Sequence, residues 1–216
     1  MTGVQTCALP ISLQQELLNT AGVNFKKDDL LAEKGVQDNW VVVGREEGEE
    51  ENLYFQRIWL LGVKTNRYGL RLEFNYGSPV AGGDWPIGSV LKAEVVFYPS
   101  SFPQRVLFKK YELTKPQTTL SYFEHFAAFA KAYAEAVAAN PWLVSFPGLI
   151  GDVIPMQKDE QYFLTDANQQ ALAIPEDKAQ FWTLFALSGG HPIAVFGNWN
   201  GSIFQPLSAE VQGRWV

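Results

Sequence analysis

The chain offers few residues for acid–base, nucleophilic or metal chemistry: two histidines, one cysteine and a scatter of carboxylates. His125 falls within a helical pattern and His191 follows Gly189-Gly190, so they form no spaced ligand pair, and they read as a helix-surface and a loop histidine. A serine nucleophile needs a strained G-x-S-x-G elbow or a Ser-His-Asp set, and no elbow occurs. Gly82-Gly83-Asp84 and Gly189-Gly190 lack the spacing of a phosphate cradle. Asp152, Asp159, Glu160 and Asp166 are suitable ligands for a hard cation, but their spacing is not that of an EF-hand loop. The expectation is a segment with no catalytic residue and no metal ligand.

Binding chemistry is better represented. Phe55, Arg57 and Trp59 alternate along one strand face. An arginine among aromatics can stack on a ring and still present its fork to a carboxylate. It can equally lie at a sheet edge with its stem on apolar neighbours and its head in water. The string Phe97-Tyr98-Pro99-Ser100, with Pro103 and Arg105, either lines a groove or turns a strand–turn–strand corner. Arg57, Trp59, Tyr98 and Arg105 are therefore the candidate binding residues. The five glutamates between Glu46 and Glu51 suit a solvated hairpin tip, or a docking site for a basic partner.

These residues must be positioned by strands. Periodicity two begins near Asp38, with apolar strands expected at 40–43, 53–62, 68–76, 89–98 and 105–113. Tyr68, Leu70, Leu72 and Phe74 alternate with Gly69, Arg71, Glu73 and Asn75, as a half-buried antiparallel strand requires. Short turn-rich connections join the five into a meander that curls into a sheet or small barrel. Ser121 and Glu124 match a capping box at the start of a helix whose apolar face would be Phe123, Phe126, Ala127, Ala130, Tyr133, Ala134 and Val137. That helix is expected to lie on the sheet and to stop at Asn140-Pro141. Beyond it, 142–155 reads as an apolar loop, 161–164 and 171–174 as a hairpin, 175–187 as a short helix ended by Gly189, and 192–196 with 202–207 as a final hairpin around Asn200-Gly201. The fold class is α+β: a five-stranded antiparallel meander or small barrel packed by an amphipathic helix, then a smaller α/β segment ending in a hairpin.

At 47% hydrophobic and 14% aromatic, the chain has the material for a sizeable core and is not disordered by composition. With 23 acidic against 17 basic residues, its charge of −6 argues against a nonspecific binder of nucleic acid or anionic membrane. No apolar run reaches the length of a transmembrane helix.

Residues 1–12 resemble the conceptual translation of a short-read sequencing adapter, and they contain the only cysteine, Cys7. On that reading the natural segment has no thiol chemistry, which fits a cytoplasmic protein, and the chain is a fragment of a larger one. The string Glu51-Asn52-Leu53-Tyr54-Phe55-Gln56 resembles a tag-removal protease site, but Arg57 follows it and the strand pattern runs on, so it is natural sequence. The expected organisation is an adapter-derived 1–12, a helix remnant and linker over 13–37, an antiparallel sheet plus helix over 38–140, and a smaller α+β segment over 141–216 packed on the first.

Several strings carry a family likeness. Asp38-Asn39-Trp40-x-Val42-x-Gly44, Gln56-Arg57-x-Trp59-Leu60-x-Gly62, Phe97-Tyr98-Pro99-Ser100-x-x-Pro103-x-Arg105 and Pro192-Ile193-Ala194-Val195-Phe196-Gly197-x-Trp199-x-Gly201, with Pro206-Leu207-Ser208, together resemble the C-terminal half of bacterial SWIM zinc-finger family proteins. The resemblance implies a zinc held by a C-x-C…C-x-H motif nearer the N-terminus, and none of those ligands is present in this segment. It also implies a protein partner, an AAA ATPase or a von Willebrand A-type protein, and an interaction or scaffolding role. The other reading of the residues is a ligand-binding barrel or enzyme with a pocket around Arg57, Tyr98 and Arg105.

Overall fold

The computed structural model describes residues 25–115 and 120–216. The adapter-like stretch and the helix remnant that follows it lie outside the described residues. The fold is α+β and mostly antiparallel. In chain order the elements are α1 (Lys27–Ala32), β1 (Val36–Glu50), β2 (Leu53–Gly62), β3 (Tyr68–Tyr76), β4 (Val90–Phe97), β5 (Val106–Thr114) and α2 (Phe126–Ala139). They continue with β6 (Phe146–Lys158), β7 (Gln161–Thr165), β8 (Ala171–Ala173), α3 (Lys178–Ser188), β9 (Ile193–Trp199), β10 (Phe204–Val211) and β11 (Arg214–Trp215). Among the described residues no helix is long and apolar enough to cross a membrane.

The first sheet has the order β3-β2-β1-β4-β5. β1 to β3 are hairpin-connected, and β4 returns to the free edge of β1, which makes a Greek key and not a plain meander. A parallel bridge from Leu70 to Arg105 then brings β5 round to β3, so the sheet curls into a five-stranded, partly open barrel. β1 is much longer than the expected 40–43. Its glutamates pair with β2 up to Glu50–Leu53, and only Glu51 and Asn52 form the turn, both with positive φ. Their φ values of 49° and 67° are those of a type I′ hairpin. Alternation alone hides this, because the far half of the strand is solvated.

The second sheet has the order β11-β10-β9-β6-β7-β8. Its central strand is β6, where an apolar loop was expected. Both faces of β6 are buried near its start, so the residues show no alternation, and Pro147, Gly148, Gly151 and Pro155 look like loop punctuation. One face of this sheet carries α2 and α3 over a core that includes Phe129, Phe146, Ile150, Phe181 and Phe204. The expected helix therefore exists but packs on the second sheet, so the packing unit begins before the expected boundary at 140. Its buried face is Phe126, Phe129 and Ala136, rotated from the expected one, and Ala127, Ala130 and Ala134 face solvent. The capping box does not form. The helix starts at Phe126, whose N–H is accepted by the carboxylate of Asp166, reaching across from the loop between β7 and β8 at 2.9 Å. That distant cap is invisible to a local motif. α3 follows expectation more closely: Asp177 caps its start and Gly189, at φ 55°, ends it.

The other face of the second sheet meets the barrel. Val41, Val43, Trp59, Leu61 and Val90 pack against Leu149 and Phe196. β1 and β10 each carry an irregularity in register here, at Val42/Gly44 and at Pro206/Ser208. Gly44 lies so close to Phe196 that a Cβ there would stand 2.5 Å from the ring. The Ser208 hydroxyl donates to the carbonyl of Val43, which the irregularity leaves outside the β1–β2 pairing. The N–H of Leu149 donates to the hydroxyl of Tyr68 at 2.9 Å. Burial pushes the Tyr68 phenol well above its ordinary range, so it stays neutral. Ser208→Ala removes the donor and strands a buried carbonyl, at a cost of about 1–3 kcal/mol. Chemical denaturation is expected to show a lower midpoint with an unchanged m-value.

Candidate functional site

After the Leu70–Arg105 bridge, β3 and β5 separate, and a cleft of about 560 Å³ opens between them. Arg71 and Phe74 line it from β3, Arg105, Phe108 and Tyr111 from β5 and the turn before it, and Trp85 from the preceding loop. Its volume lies within the roughly 300–1,000 Å³ of typical ligand sites. A second cleft of about 610 Å³ lies between the β4–β5 turn and the loop after α2, with Phe102, Trp142 and Val144 in its wall. Lys27, Tyr98 and Arg105 line both clefts, which therefore meet at those residues.

The walls are built by the barrel's own packing. Trp85 stacks edge-on with Phe108 and Tyr111 at 5.5 and 5.0 Å. Phe102 reaches the second core at Phe146, 5.7 Å between ring centres, and the Gln104 amide donates to Ser145 O at 2.9 Å. These two contacts fix the β4–β5 turn on the second sheet and so hold Tyr98 and Arg105 in place. The Arg105 guanidinium lies 4.5 Å from the centre of the Tyr98 ring. Among the described residues no carboxylate is within ion-pairing distance of it. Arg71 is different. It lies 5.3 Å from the Trp85 ring, donates to Gln56 Oε1 at 2.8 Å and pairs with Glu73 at 2.7 Å.

Gln56 is the pivot of a polar chain across β1, β2 and β3. It is 2% exposed, accepts from Arg71 and donates to Glu47 at 2.8 Å. Glu47 also accepts from Arg45, which reaches Asp84 at 3.1 Å. The bond from Gln56, and then the one from Arg45, hold the Glu47 carboxyl below its ordinary range.

Of the expected binding residues, the structure brings Tyr98 and Arg105 together and leaves Arg57 and Trp59 elsewhere. Arg57 stacks 4.6 Å from Phe55 and pairs with Glu46 at 3.0 Å, and it lines neither cleft. Trp59 is 2% exposed, inside the layer between the sheets, and presents no binding surface. Strand alternation could not distinguish a face covered by another sheet from an open one. Arg71, Trp85, Tyr111 and Trp142 were not foreseen. Arg71 sat on what looked like the solvent side of β3, but that side is the barrel interior, where Gly69 leaves room for Val106 and Trp40. Trp142 after Asn140-Pro141, and Trp85 in a Gly/Pro-rich loop, were the available signals, since loops tend to carry function.

The cation candidates disperse. Asp152 sits in an irregularity of β6, and Asp159 and Glu160 turn the chain from β6 into β7. Asp166 accepts the N–H groups of Phe126, Asn168 and Gln170. No group of three or more potential metal ligands occurs among the described residues. Another cleft of about 530 Å³ lies over β1, β4 and β5, where Glu94 is answered by Gln37, Lys109 and Lys110, and Lys92 by Glu112.

Comparison with protein-family models, with curated protein sequences and with solved structures gave no match to this chain.

A carboxyl whose folded pKa is depressed contributes stability that is present above its unfolded pKa and is lost as pH falls through the folded value. Glu47→Gln is therefore expected to flatten the loss of stability below about pH 4.5, the ordinary value, in denaturation curves taken across the acid limb.

Proposed function

We propose that the chain is a non-catalytic interaction and scaffolding region of a larger SWIM-type zinc protein, and that it contacts a protein partner through the joined clefts at Tyr98 and Arg105. The observation that carries this is the Arg105 guanidinium. It is exposed, is held over an aromatic ring, and lacks a carboxylate among the described residues. A planar fork oriented by stacking is suited to an incoming carboxylate. The cleft walls add aromatic and aliphatic area, while their only carboxylate among the described residues, Glu73, is occupied by Arg71. Such a set provides anchorage and no acid–base pair.

The partner we propose is an AAA ATPase or a von Willebrand A-type protein, following the family resemblance in the sequence motifs. Zinc, and any nucleic-acid contact, would belong to the finger and not to these residues. The cytoplasm is the compartment that a single cysteine in the adapter-like stretch favours. The alternative barrel pocket built from Arg57, Tyr98 and Arg105 is less well supported, because Arg57 is engaged by Glu46 and Phe55.

Selection of random twelve-residue peptides on the full chain tests the site. Enriched sequences are expected to place Asp or Glu beside aromatic or aliphatic residues. They should lose about tenfold or more in affinity to Arg105→Ala, the scale of one charge-assisted hydrogen bond. Absence of enrichment, or affinities indifferent to Arg105→Ala in a variant with unchanged circular dichroism, would refute the reading.

A further inference from the structure

β3 pairs with β2 along its whole length, and β5 pairs with β4. The single bridge at Leu70 and Arg105, with the Leu70 N–H donated to Gln104 O at 2.7 Å, is the only pairing between β3 and β5 among the described residues. Beyond it, the other edge of each strand faces the cleft. Unpaired N–H and C=O groups along an exposed edge are a template for another strand. Natural proteins usually blunt such an edge with charge or proline. At the far end, exposed aromatic and apolar side chains, Phe74 and Tyr76 on β3 and Tyr111 and Leu113 on β5, stand among polar and charged ones, Glu73 and Asn75 on β3 and Lys109, Lys110 and Glu112 on β5.

Charge is distributed unevenly along this groove. Among the described residues, the lining of the cleft beside Trp142 includes Lys27 and Arg105 and no carboxylate, in a chain whose net charge is −6. At the other end, the Leu53–Tyr76 pair places the close of β3 beside the glutamate-rich β1–β2 hairpin. A ligand that complements both ends carries its negative charge at one end only. A nucleic acid strand, charged at every step, would set phosphates against Glu73 and the hairpin.

We infer that the groove takes an extended, amphipathic peptide from the partner protein, added as a strand to the free edge of β5, with its acidic end at Arg105 and Lys27 and its apolar residues over Phe74 and Tyr111. This rests on the proposed binding site, and it supplies the mode of recognition and the polarity of the partner segment. Main-chain bonds to the edge would give affinity, and alternate side chains entering the cleft would give selectivity.

The test uses the full chain and the synthetic peptide acetyl-Asp-Asp-Thr-Val-Thr-Tyr-Thr-Val-amide. Its controls are the same peptide N-methylated at alternate residues on either edge, and a ten-nucleotide oligothymidylate. On binding, the backbone amides of 106–111 that point away from β4 are expected to exchange with deuterium at least about tenfold more slowly. The N-methylated peptides should bind at least about tenfold more weakly when methylation falls on the pairing edge. Equal binding of both methylated forms with no amide protection overturns strand addition, as does failure of the parent peptide to bind. Oligothymidylate binding with the same dependence on Arg105 overturns the choice of a peptide. The site itself fails separately, when selected peptides bind without regard to Arg105.

Discussion

The contact between the barrel and the second sheet is the constraint on which the other features depend. Seven buried residues form that layer, and at about 1.5–3 kcal/mol for each large apolar side chain their burial far outweighs any single polar contact across it. The hydrogen bond from Ser208 to Val43, worth about 0.5–1.5 kcal/mol net, acts differently. It joins two register irregularities, and a slip of either strand would break it. Packing thus supplies the energy of the contact, and the bond with the Gly44–Phe196 approach fixes its alignment.

This contact leaves β1, β2 and β4 buried on both faces where they meet the second sheet, with Trp40, Ile58 and Leu91 on the barrel side and Val41, Trp59 and Val90 on the other. The far halves of β3 and β5 receive no such cover. Their residues are half-buried or exposed after Leu72 and Phe108. The polar chain from Arg45 through Glu47 and Gln56 to Arg71 and Glu73 closes this end of the interior, with each member answered by the next, so the low exposure of Gln56 leaves no orphaned amide. The cleft at the seam is what remains when a short barrel is held open on one side by its packing on the other.

Local pattern and tertiary cover account for what was legible in the sequence. β2 and β3 were readable to the residue, because alternation and turn residues act over a few positions. β6 was not, since a strand buried on both faces loses its period, and proline and glycine within it resemble loop signals. The start of α2 was misplaced because its cap comes from Asp166, 40 residues away. The Tyr98–Arg105 pair was visible as a strand–turn–strand corner, and the structure makes it both a corner and a groove wall. Trp59 looked like a partner of Arg57, but neighbours on one strand face can have different fates when a second sheet covers only part of it.

The barrel is closed by packing on one side and, among the described residues, open along the β5 edge on the other. Residue-resolved hydrogen exchange of the free full-length chain tests it most directly. Amides of β1 and β2 that face each other should be strongly protected. Along 106–113, those pointing toward β4 should be protected and those pointing away should exchange at rates close to those of an open chain. Uniform protection of both sets along β5 would mean that the edge is already paired and the barrel is not open there.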